Sequence, residues 1–422
     1  MSEWKEYIFK DLFEIPLKNG LNKPSKVRGD GFRMINMKEI FGYNFIGDDT
    51  PMELVPLEER EKLFLQFGDL LFARQSLVAS GAGKVSYFRG FLPTVFESHL
   101  IRCRINPYLS NSLFLYYLIK SPYGRGKIET IVEQTAAAGI RGSDLKELKF
   151  KIPPLHTQTA IAEILSSLDD KIELNNKINQ ELENLAQTLF RQWFIDFEFP
   201  NENGEPYKSS GGEMVESELG EIPKGWEVKR LKQLLTIKRG GSPRPIHDFM
   251  ADSGLPWVKI SDATALNSPF LFSTKEFIKV EGLRKTVLLR KGSLILSNSA
   301  TPGLPKFLEL DACIHDGWLH FDDIEQLTFN YLYLLFISIR VDLVGQGNGS
   351  IFINLKTDIL KEYAITVPTS DVINEFSNLI DPIFNKIKNV SSEIIQLTNL
   401  RDTLLPELIS GELEVSQTQT TT

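Results

Sequence analysis

Two short stretches hold residue types that could carry out chemistry. Gly81-Ala82-Gly83-Lys84 offers small residues and a lysine, but it lacks the first glycine of a phosphate-binding loop, and Val85 stands where Ser or Thr would bind Mg²⁺. Cys313 and His315 are metal-ligand types, yet the second cysteine pair of a zinc site is missing. We therefore interpret the first stretch as a flexible loop and the second as local packing, and predict no metal site.

A third stretch, Asn267-Ser268-Pro269-Phe270, shares three residues with the Asn-Pro-Pro-Phe motif of amino-methyltransferases. No glycine-rich loop for S-adenosylmethionine accompanies it, so we interpret it as a plain turn. Together the three stretches predict no catalytic residue and no cofactor bound by this chain.

Charged residues are unevenly spread along the 422-residue chain, whose net charge is −8. Residues 1–151 carry a net +4 and residues 215–368 are neutral, whereas residues 152–214 carry −7 and residues 369–422 carry −5. Contacts to phosphate need local cations rather than a basic total. The neutral and basic segments are therefore the ones that suit a nucleic acid.

Length and cysteine content limit the class of protein. The chain is too long for one ordinary domain, so two or three are expected. Two cysteines form no disulfide framework, which favours a reducing cytoplasm. The longest apolar run, Tyr331 to Ile339, is far shorter than the roughly 20 residues that span a bilayer. We expect a cytoplasmic protein without membrane contact.

The chain contains two copies of one unit. The stretch from Leu145 to Pro153 recurs, 215 positions later, from Leu360 to Pro368. Upstream, Trp4 matches Trp226, and residues 68–72 match residues 292–296. Such self-similarity indicates a repeated architecture, in which each copy runs from a globular module into a helix.

The elements of each module indicate an α+β fold. Short β-rich runs between turn residues, such as 33–37 and 257–260, accompany one helical stretch per module, Ser112–Lys120 and Tyr331–Ile339. The predicted fold is therefore two α/β modules separated by two long antiparallel helices, a coiled-coil spacer, with a pseudo-twofold internal repeat.

The two helical segments carry matching heptad seams. Asn175 and Asn179 interrupt the first seam, where polar residues can fix alignment and partner. Asp381 and Pro382 predict a break, with Asp as N-cap and Pro at the first helical position. We expect about two turns before Pro382 and a long helix after it. The seam residues are Ile161, Leu165, Leu168, Ile172, Asn175, Asn179 and Leu182 in the first copy, and Ile373, Phe376, Ile380, Ile383, Ile387, Val390, Ile394 and Leu397 in the second.

This combination resembles the DNA-specificity (S, HsdS) subunits of type I restriction–modification systems. The resemblance is carried by residues 152–175 and 189–197 for a central conserved region, and by residues 404–413 for a distal one. Trp4, Trp226 and residues 68–74 fit two target-recognition domains. The second copy departs from the Pro-Pro-Leu…Gln pattern at residues 369–371, although its heptads continue.

The resemblance implies a domain plan and a set of partners. Each recognition domain would read half of a split target in double-stranded DNA, and the helices would set the spacer. Two modification (M) subunits would bind S-adenosylmethionine, and restriction (R) subunits, joining through that core, would use ATP and Mg²⁺. The plan is a first target-recognition domain (1–152), a central helical spacer (153–200), a linker (201–220), a second target-recognition domain (221–368), a distal helical spacer (369–414) and a disordered tail (415–422).

Basic and amide residues among turn formers are the candidates for DNA contact, because such side chains reach phosphates and base edges. For each residue, solvated surface is the alternative. The candidates are Lys18, Asn19, Lys23, Lys26, Arg33, Arg74, Gln75, Lys84 and Arg141 in the first module, and Lys238, Arg239, Arg244, Lys259, Asn298, Ser299, Gln346 and Asn348 in the second.

Two other functions compete with a non-catalytic DNA reader. A fused restriction–modification enzyme would need the S-adenosylmethionine and nuclease motifs that the sequence lacks. A coiled-coil adaptor would have modules that bind protein, and it would lack the affinity for random duplex DNA, falling steeply with log salt, that a DNA reader has.

Overall fold

The computed structural model describes residues 4–61, 63–134, 137–345 and 354–415. Contacts divide the chain into two compact units. Unit 1 comprises residues 1–171 and 397–422, and unit 2 comprises residues 172–396. Each unit holds one globular module and a part of each of two long helices.

Unit 1 builds its module around a five-stranded sheet of order β2-β10-β6-β8-β4. A second sheet has the order β5-β3-β9, and β1 pairs with β13. Its strands are β1 (Lys5–Ile8), β2 (Phe13–Asn19), β3 (Phe32–Ile35), β4 (Phe45–Ile46), β5 (Glu53–Val55), β6 (Leu70–Ala73), β7 (Gln75–Ser76), β8 (Val85–Phe88), β9 (Thr94–Phe96), β10 (Leu100–Ile105), β11 (Glu133–Gln134), β12 (Ala138–Gly139) and β13 (Lys149–Ile152). The helices are α1 (Met37–Gly42), α2 (Ser112–Lys120), α3 (Pro122–Glu129), α4 (Gly142–Leu145) and the start of α5 (Leu155–Phe194).

Unit 2 repeats this plan, with a five-stranded sheet of order β17-β26-β23-β24-β20 and a second of order β18-β21-β19-β25-β22. Its strands are β14 (Met214–Ser217), β15 (Gly220–Pro223), β16 (Glu227–Arg230), β17 (Thr236–Arg239), β18 (Met250–Ala251), β19 (Leu255–Val258), β20 (Phe270–Leu271), β21 (Glu276–Ile278), β22 (Val287–Leu289), β23 (Leu294–Ser297), β24 (Pro305–Leu308), β25 (Ala312–Ile314), β26 (Trp318–Asp322) and β27 (Ala364–Val367). The helices are α6 (Ile260–Thr264), α7 (Phe329–Gly345), α8 (Thr357–Glu362) and most of α9 (Ser370–Ser410).

Strand registers confirm the internal repeat. Lys5 of β1 pairs with Ile152 of β13, and Glu227 of β16 pairs with Val367 of β27. β3 lies between β5 and β9 as β19 lies between β21 and β25. The two modules are thus copies of one mixed α/β fold, as the sequence predicts.

Helix bounds differ from the prediction at two places. The prediction for α2 is confirmed, and all of Phe114 to Ile119 is buried, as expected of a helix apolar on every side. α7 is longer than predicted and runs from Phe329 to Gly345. Arg340 lies inside the helix, as a good helix former can, and its guanidinium donates a hydrogen bond to the carbonyl of Pro302 at 3.1 Å.

The predicted break at Pro382 is wrong, because α9 runs through it as one helix of 41 residues. An interior proline removes a backbone hydrogen bond and costs about 3 kcal/mol. Ile380 before it and Phe384 and Ile387 after it are buried in one core. Burial on both sides of Pro382 holds the helix through the defect.

Within unit 1, α5 and α9 run antiparallel. Ile161 and Leu165 of α5 share a core with Leu408 and Ile409 of α9. Further along α5, Asp169 accepts a hydrogen bond at 2.6 Å from Arg401, which lies earlier in α9. The contacts therefore move backwards along α9 as they move forwards along α5.

Within unit 2, the same two helices meet in the same sense. The side-chain amide of Asn179 in α5 donates to the hydroxyl of Ser391 in α9 at 3.0 Å. Later in α5, the rings of Phe194 and Phe376 lie 4.7 Å apart between centroids. The antiparallel pairing of α5 and α9 is therefore present in both units.

Candidate nucleic-acid interface

In unit 2, the segment after β17 lies against the loop between β25 and β26. The Gly240 amide donates to the carbonyl of Trp318 at 2.9 Å. A Cβ at Gly240 would stand 2.3 Å from the carbonyl oxygen of His315, so only glycine fits there. This close approach brings residues 240–244 beside residues 315–317.

Residues 240–244 and 315–317 together form one edge of the module. Asp316 organises the polar side chains at this edge. Ser242 donates a hydrogen bond to its carboxylate, which is the main reason that the pKa of Asp316 is lowered. The Arg239 guanidinium donates to the Asp316 carbonyl, and an Arg244 nitrogen lies 3.5 Å from the carboxylate. The side-chain amide of Asn298 also donates to the Asp316 carbonyl, at 3.3 Å. Three predicted contact residues, Arg239, Arg244 and Asn298, therefore meet at one loop.

His315 lies at the same edge, beside the ring of Trp257 at 5.9 Å between centroids. Burial lowers the pKa of His315, so its imidazole is neutral at pH 7. The Asp316 charge opposes this lowering of the pKa, and the charges of Lys259 and Arg239 add to it. Lys259 is itself in an ion pair with Glu276.

Unit 1 has the same edge. A Cβ at Gly20 would stand 2.0 Å from the carbonyl oxygen of Phe96, as at Gly240. The backbone N–H of Arg74 donates to the carbonyl of His99 at 2.8 Å, and the backbone N–H of Asn298 donates to the carbonyl of Gly317 at 2.9 Å. Arg74 and Asn298 therefore occupy equivalent positions, at which one module has a cation and the other an amide.

Several candidate cations of unit 1 also hold its own loops. The Arg33 guanidinium donates to the carbonyls of residues 47, 48 and 50, at 3.1, 2.7 and 2.9 Å. Lys84 donates to the carbonyl of Phe41 at 2.9 Å, and burial lowers its pKa. Lys23 pairs with Glu61 at 2.6 Å. These contacts position the loops, and contact of these residues with DNA stays a prediction.

The candidates differ in exposure. Gln346 and Asn348 lie outside the described residues. The exposed ones are Lys18, Asn19, Lys26, Gln75, Arg141, Lys238, Arg239 and Arg244; the half-buried ones are Lys23, Arg33, Arg74, Lys84, Lys259 and Ser299; Asn298 is buried. Arg141 and Lys238 are in ion pairs, with Glu133 at 2.7 Å and with Asp322 at 2.8 Å.

Sequence reasoning missed Ser242, Asp316 and Arg125. The Arg125 guanidinium donates to the carbonyls of Ala79 and Ala82 at 3.3 and 2.8 Å, and so fixes the loop that precedes Lys84. Extending the repeat to β10 and β26 would have placed residues 97–99 and 315–317 at equivalent loops and drawn attention to Asp316.

The helical seam is buried unevenly. Asp169, Phe190 and Phe384, which were not assigned to the seam, are buried beside it. Buried seam residues are Ile161, Leu165, Asn175, Asn179, Ile373, Phe376, Ile380, Ile387 and Val390, and half-buried ones are Leu168, Ile172, Leu182, Ile383, Ile394 and Leu397.

Ser268 and Cys313 belong to two of the stretches whose residue types could carry out chemistry, and both are engaged in the packing of unit 2. Ser268 lies 2.8 Å from Ser391, oxygen to oxygen, and its carbonyl accepts a hydrogen bond from Lys306. The thiol of Cys313 is buried. Over the described ranges, no three or more His, Cys, Asp or Glu residues are grouped as a metal site would need. Among the same residues, no helix has the length and hydropathy of a membrane span.

Comparison with known proteins gives one consistent result. The family model for the type I restriction modification DNA specificity domain matches residues 1–184 and 223–399. The chain is 27% identical to the type I restriction enzyme MjaIX specificity subunit of Methanocaldococcus jannaschii, covering 98% of this chain and 94% of that relative. It is 26% identical to the HindI specificity subunit of Haemophilus influenzae, covering 98% and 100%.

A solved structure has the same fold. The type I restriction–modification S subunit from M. genitalium matches with a TM-score of 0.61 at 17% identity, covering 99% of this chain and 97% of that chain.

Proposed function

Because the chain belongs to the family of type I restriction–modification DNA specificity domains, we propose that it reads a split DNA target, one half with each module. In this role it is the specificity subunit and not the enzyme. The modules contact DNA through the edges that carry Arg74 in unit 1 and Asn298 in unit 2.

The observation that supports this most is the equivalence of those two edges. The same backbone hydrogen bonds hold Arg74 and Asn298, so two readers of one design present different side chains. Arg74 is half-buried, whereas Asn298 is 4% exposed and holds its loop through a hydrogen bond from its side chain to the Asp316 carbonyl, so the two positions differ in side chain and in contacts. A repeated backbone frame that carries different side chains is what two different half-targets require.

The partners follow from the same proposal. Two modification subunits dock on the chain, bind S-adenosylmethionine and methylate adenine, while this chain binds no cofactor. Restriction subunits join through that core and use ATP and Mg²⁺. The acidic helical segments, 152–214 and 369–422, suit contact with protein more than with DNA.

Salt dependence tests the DNA-reading role directly. The affinity of the full-length chain for random duplex DNA is expected to fall linearly on a plot of log association constant against log salt, since phosphate contacts release counterions. An affinity that does not change with salt would support the adaptor function instead. Methylation of DNA by the isolated chain would support the fused enzyme.

A further inference from the structure

In unit 2, Trp226 is covered by an aromatic segment that leaves the end of α5. The ring of Phe199 stacks on Trp226, with centroids 5.1 Å apart and planes 23° apart. Tyr207 stacks in turn on Phe199 at 4.6 Å. Trp226 and Phe199 are 5% and 6% exposed. The chain itself thus fills the site beside this tryptophan.

In unit 1, Trp4 is the equivalent tryptophan, since it precedes β1 as Trp226 precedes β16. The helix ends also correspond. The Glu198 amide donates to the carbonyl of Gln192 at 2.8 Å, and the Leu413 amide donates to that of Glu407 at 3.1 Å. With the repeat offset of 215, Glu414 after α9 corresponds to Phe199 after α5. Glu414 has no aromatic ring, so at the position that corresponds to Phe199 the chain offers Trp4 no stacking partner.

A cleft is present beside Trp4, which we call the Trp4 cleft. Trp4 is half-buried, and the cleft has a volume of about 510 Å³, within the usual range for ligand sites. One wall is aromatic and prolyl, and Lys151 adds a cation where the second copy has Thr366. The lining residues are Trp4, Ser121, Pro122, Tyr123, Lys151, Pro406, Ile409 and Ser410.

We propose that the Trp4 cleft binds a peptide segment of a different protein chain, in which an aromatic residue adjoins an acidic one. The aromatic ring stacks on Trp4 as Phe199 stacks on Trp226, because offset stacking on indole adds to the burial of apolar surface. The carboxylate lies near the Lys151 ammonium. The segment Phe197-Glu198-Phe199 of this chain has that chemistry, and in unit 2 the rings of Phe197 and Phe199 lie on Trp226 while Ser209 donates to the Glu198 carboxylate.

The test uses the full-length chain and a fluorescent synthetic peptide with the sequence of residues 196–212. Fluorescence anisotropy is expected to show saturable binding. Trp4→Ala and, separately, Lys151→Glu should weaken it by about tenfold or more, as does removal of a central contact residue. A peptide in which both Phe197 and Phe199 are replaced by Ala should bind equally poorly. Tyr108→Ala is the control, because Tyr108 is 89% exposed, lies outside the cleft and should leave binding unchanged.

Three results would overturn the proposal. One is no saturable binding up to concentrations on the order of 1 mM. Another is wild-type affinity in both cleft variants. A third is self-association of the chain, seen by light scattering and abolished by Trp4→Ala, which would make a second copy the occupant. If Trp4→Ala fails to fold by circular dichroism, the exposed Lys151→Glu decides. DNA affinity should be unchanged in these variants, so this proposal and the DNA-reading role fail independently.

Discussion

The cations around residues 315–317 differ in how firmly the protein holds them. Arg239 donates to the Asp316 carbonyl. The Arg244 side chain is 73% exposed and lies 3.5 Å from the Asp316 carboxylate, a long and solvated contact. Arg244 is therefore the residue at this edge whose charge is most available to a phosphate.

Arg244→Ala is expected to weaken DNA binding roughly fivefold, equally for all sequences, and to reduce the salt slope by about one. Arg290→Ala is the matched control. Its side chain is 79% exposed and pairs with Asp311, at the opposite end of β25. Titrations at several salt concentrations measure both variants. Equal losses for the two arginines would show that general charge, rather than this edge, binds DNA.

A second residue-scale prediction concerns the ion pair between Arg401 and Asp169, which joins α9 to α5 within unit 1. The Asp169 side chain is 5% exposed and also accepts a hydrogen bond from Tyr117 at 2.7 Å. Arg401→Met leaves this carboxylate buried without its cation, and should lower the free energy of unfolding by about 3–5 kcal/mol.

Urea denaturation measures that loss. The control is Arg191→Met, since the Arg191 side chain is 74% exposed, lies 3.5 Å from Asp196 and should cost less than about 1 kcal/mol. A loss for Arg401→Met no larger than that of the control would mean that the buried pair contributes little to unit 1.

At the scale of elements, the continuity of α9 through Pro382 has a measurable consequence. Pro382 is exposed, so its replacement removes no core contact. Pro382→Ala restores a backbone hydrogen bond to a continuous helix and should raise the free energy of unfolding by about 1–3 kcal/mol. Urea denaturation and amide hydrogen exchange at residues 378–386 measure this. No gain would indicate that the helix is interrupted there after all.

The helices were the most predictable elements, because heptad spacing depends only on local residue order. The prediction of a break at Asp381 and Pro382 was wrong because it used only the local signal for the start of a helix. That signal contains no information on the core in which Ile380 and Phe384, on either side of Pro382, are buried. The burial of Asp169 was also missed, because its partner Arg401 lies far away in the sequence. Spacing predicts which residues share a helix face, but not which polar residue finds a partner there.

The residue types of the DNA-contact candidates are visible in the sequence, but the contacts that each candidate makes within its module are not. In the sequence, Arg33 and Lys84 cannot be distinguished from free surface cations. In the structure, both donate hydrogen bonds to carbonyls of their own module. Asn298 follows a strand as a surface turn residue would, but it is 4% exposed. Only tertiary contacts separate residues that shape a loop from those free to contact DNA.

At the scale of the whole molecule, the chain is one fold used twice with different side chains at equivalent positions. Both modules share the strand order of the first five-stranded sheet, the register of β1 with β13 and of β16 with β27, and the glycine that brings two loops together. They differ at Arg74 and Asn298, and in whether an aromatic segment covers the tryptophan before the first strand. The repeat supports the proposal of two separate half-target readers, and its differences suit a target with two unlike halves.

The central claim is that each module reads one half-target, and sequencing of methylated adenines tests it most directly. Cells would carry the cognate modification subunit with either this chain or a hybrid whose residues 1–152 come from a relative. The original chain should give an unlike, split motif, and the hybrid should change one half while the other half and the spacing stay as they were. A contiguous motif, or a hybrid that changes both halves, would contradict the account.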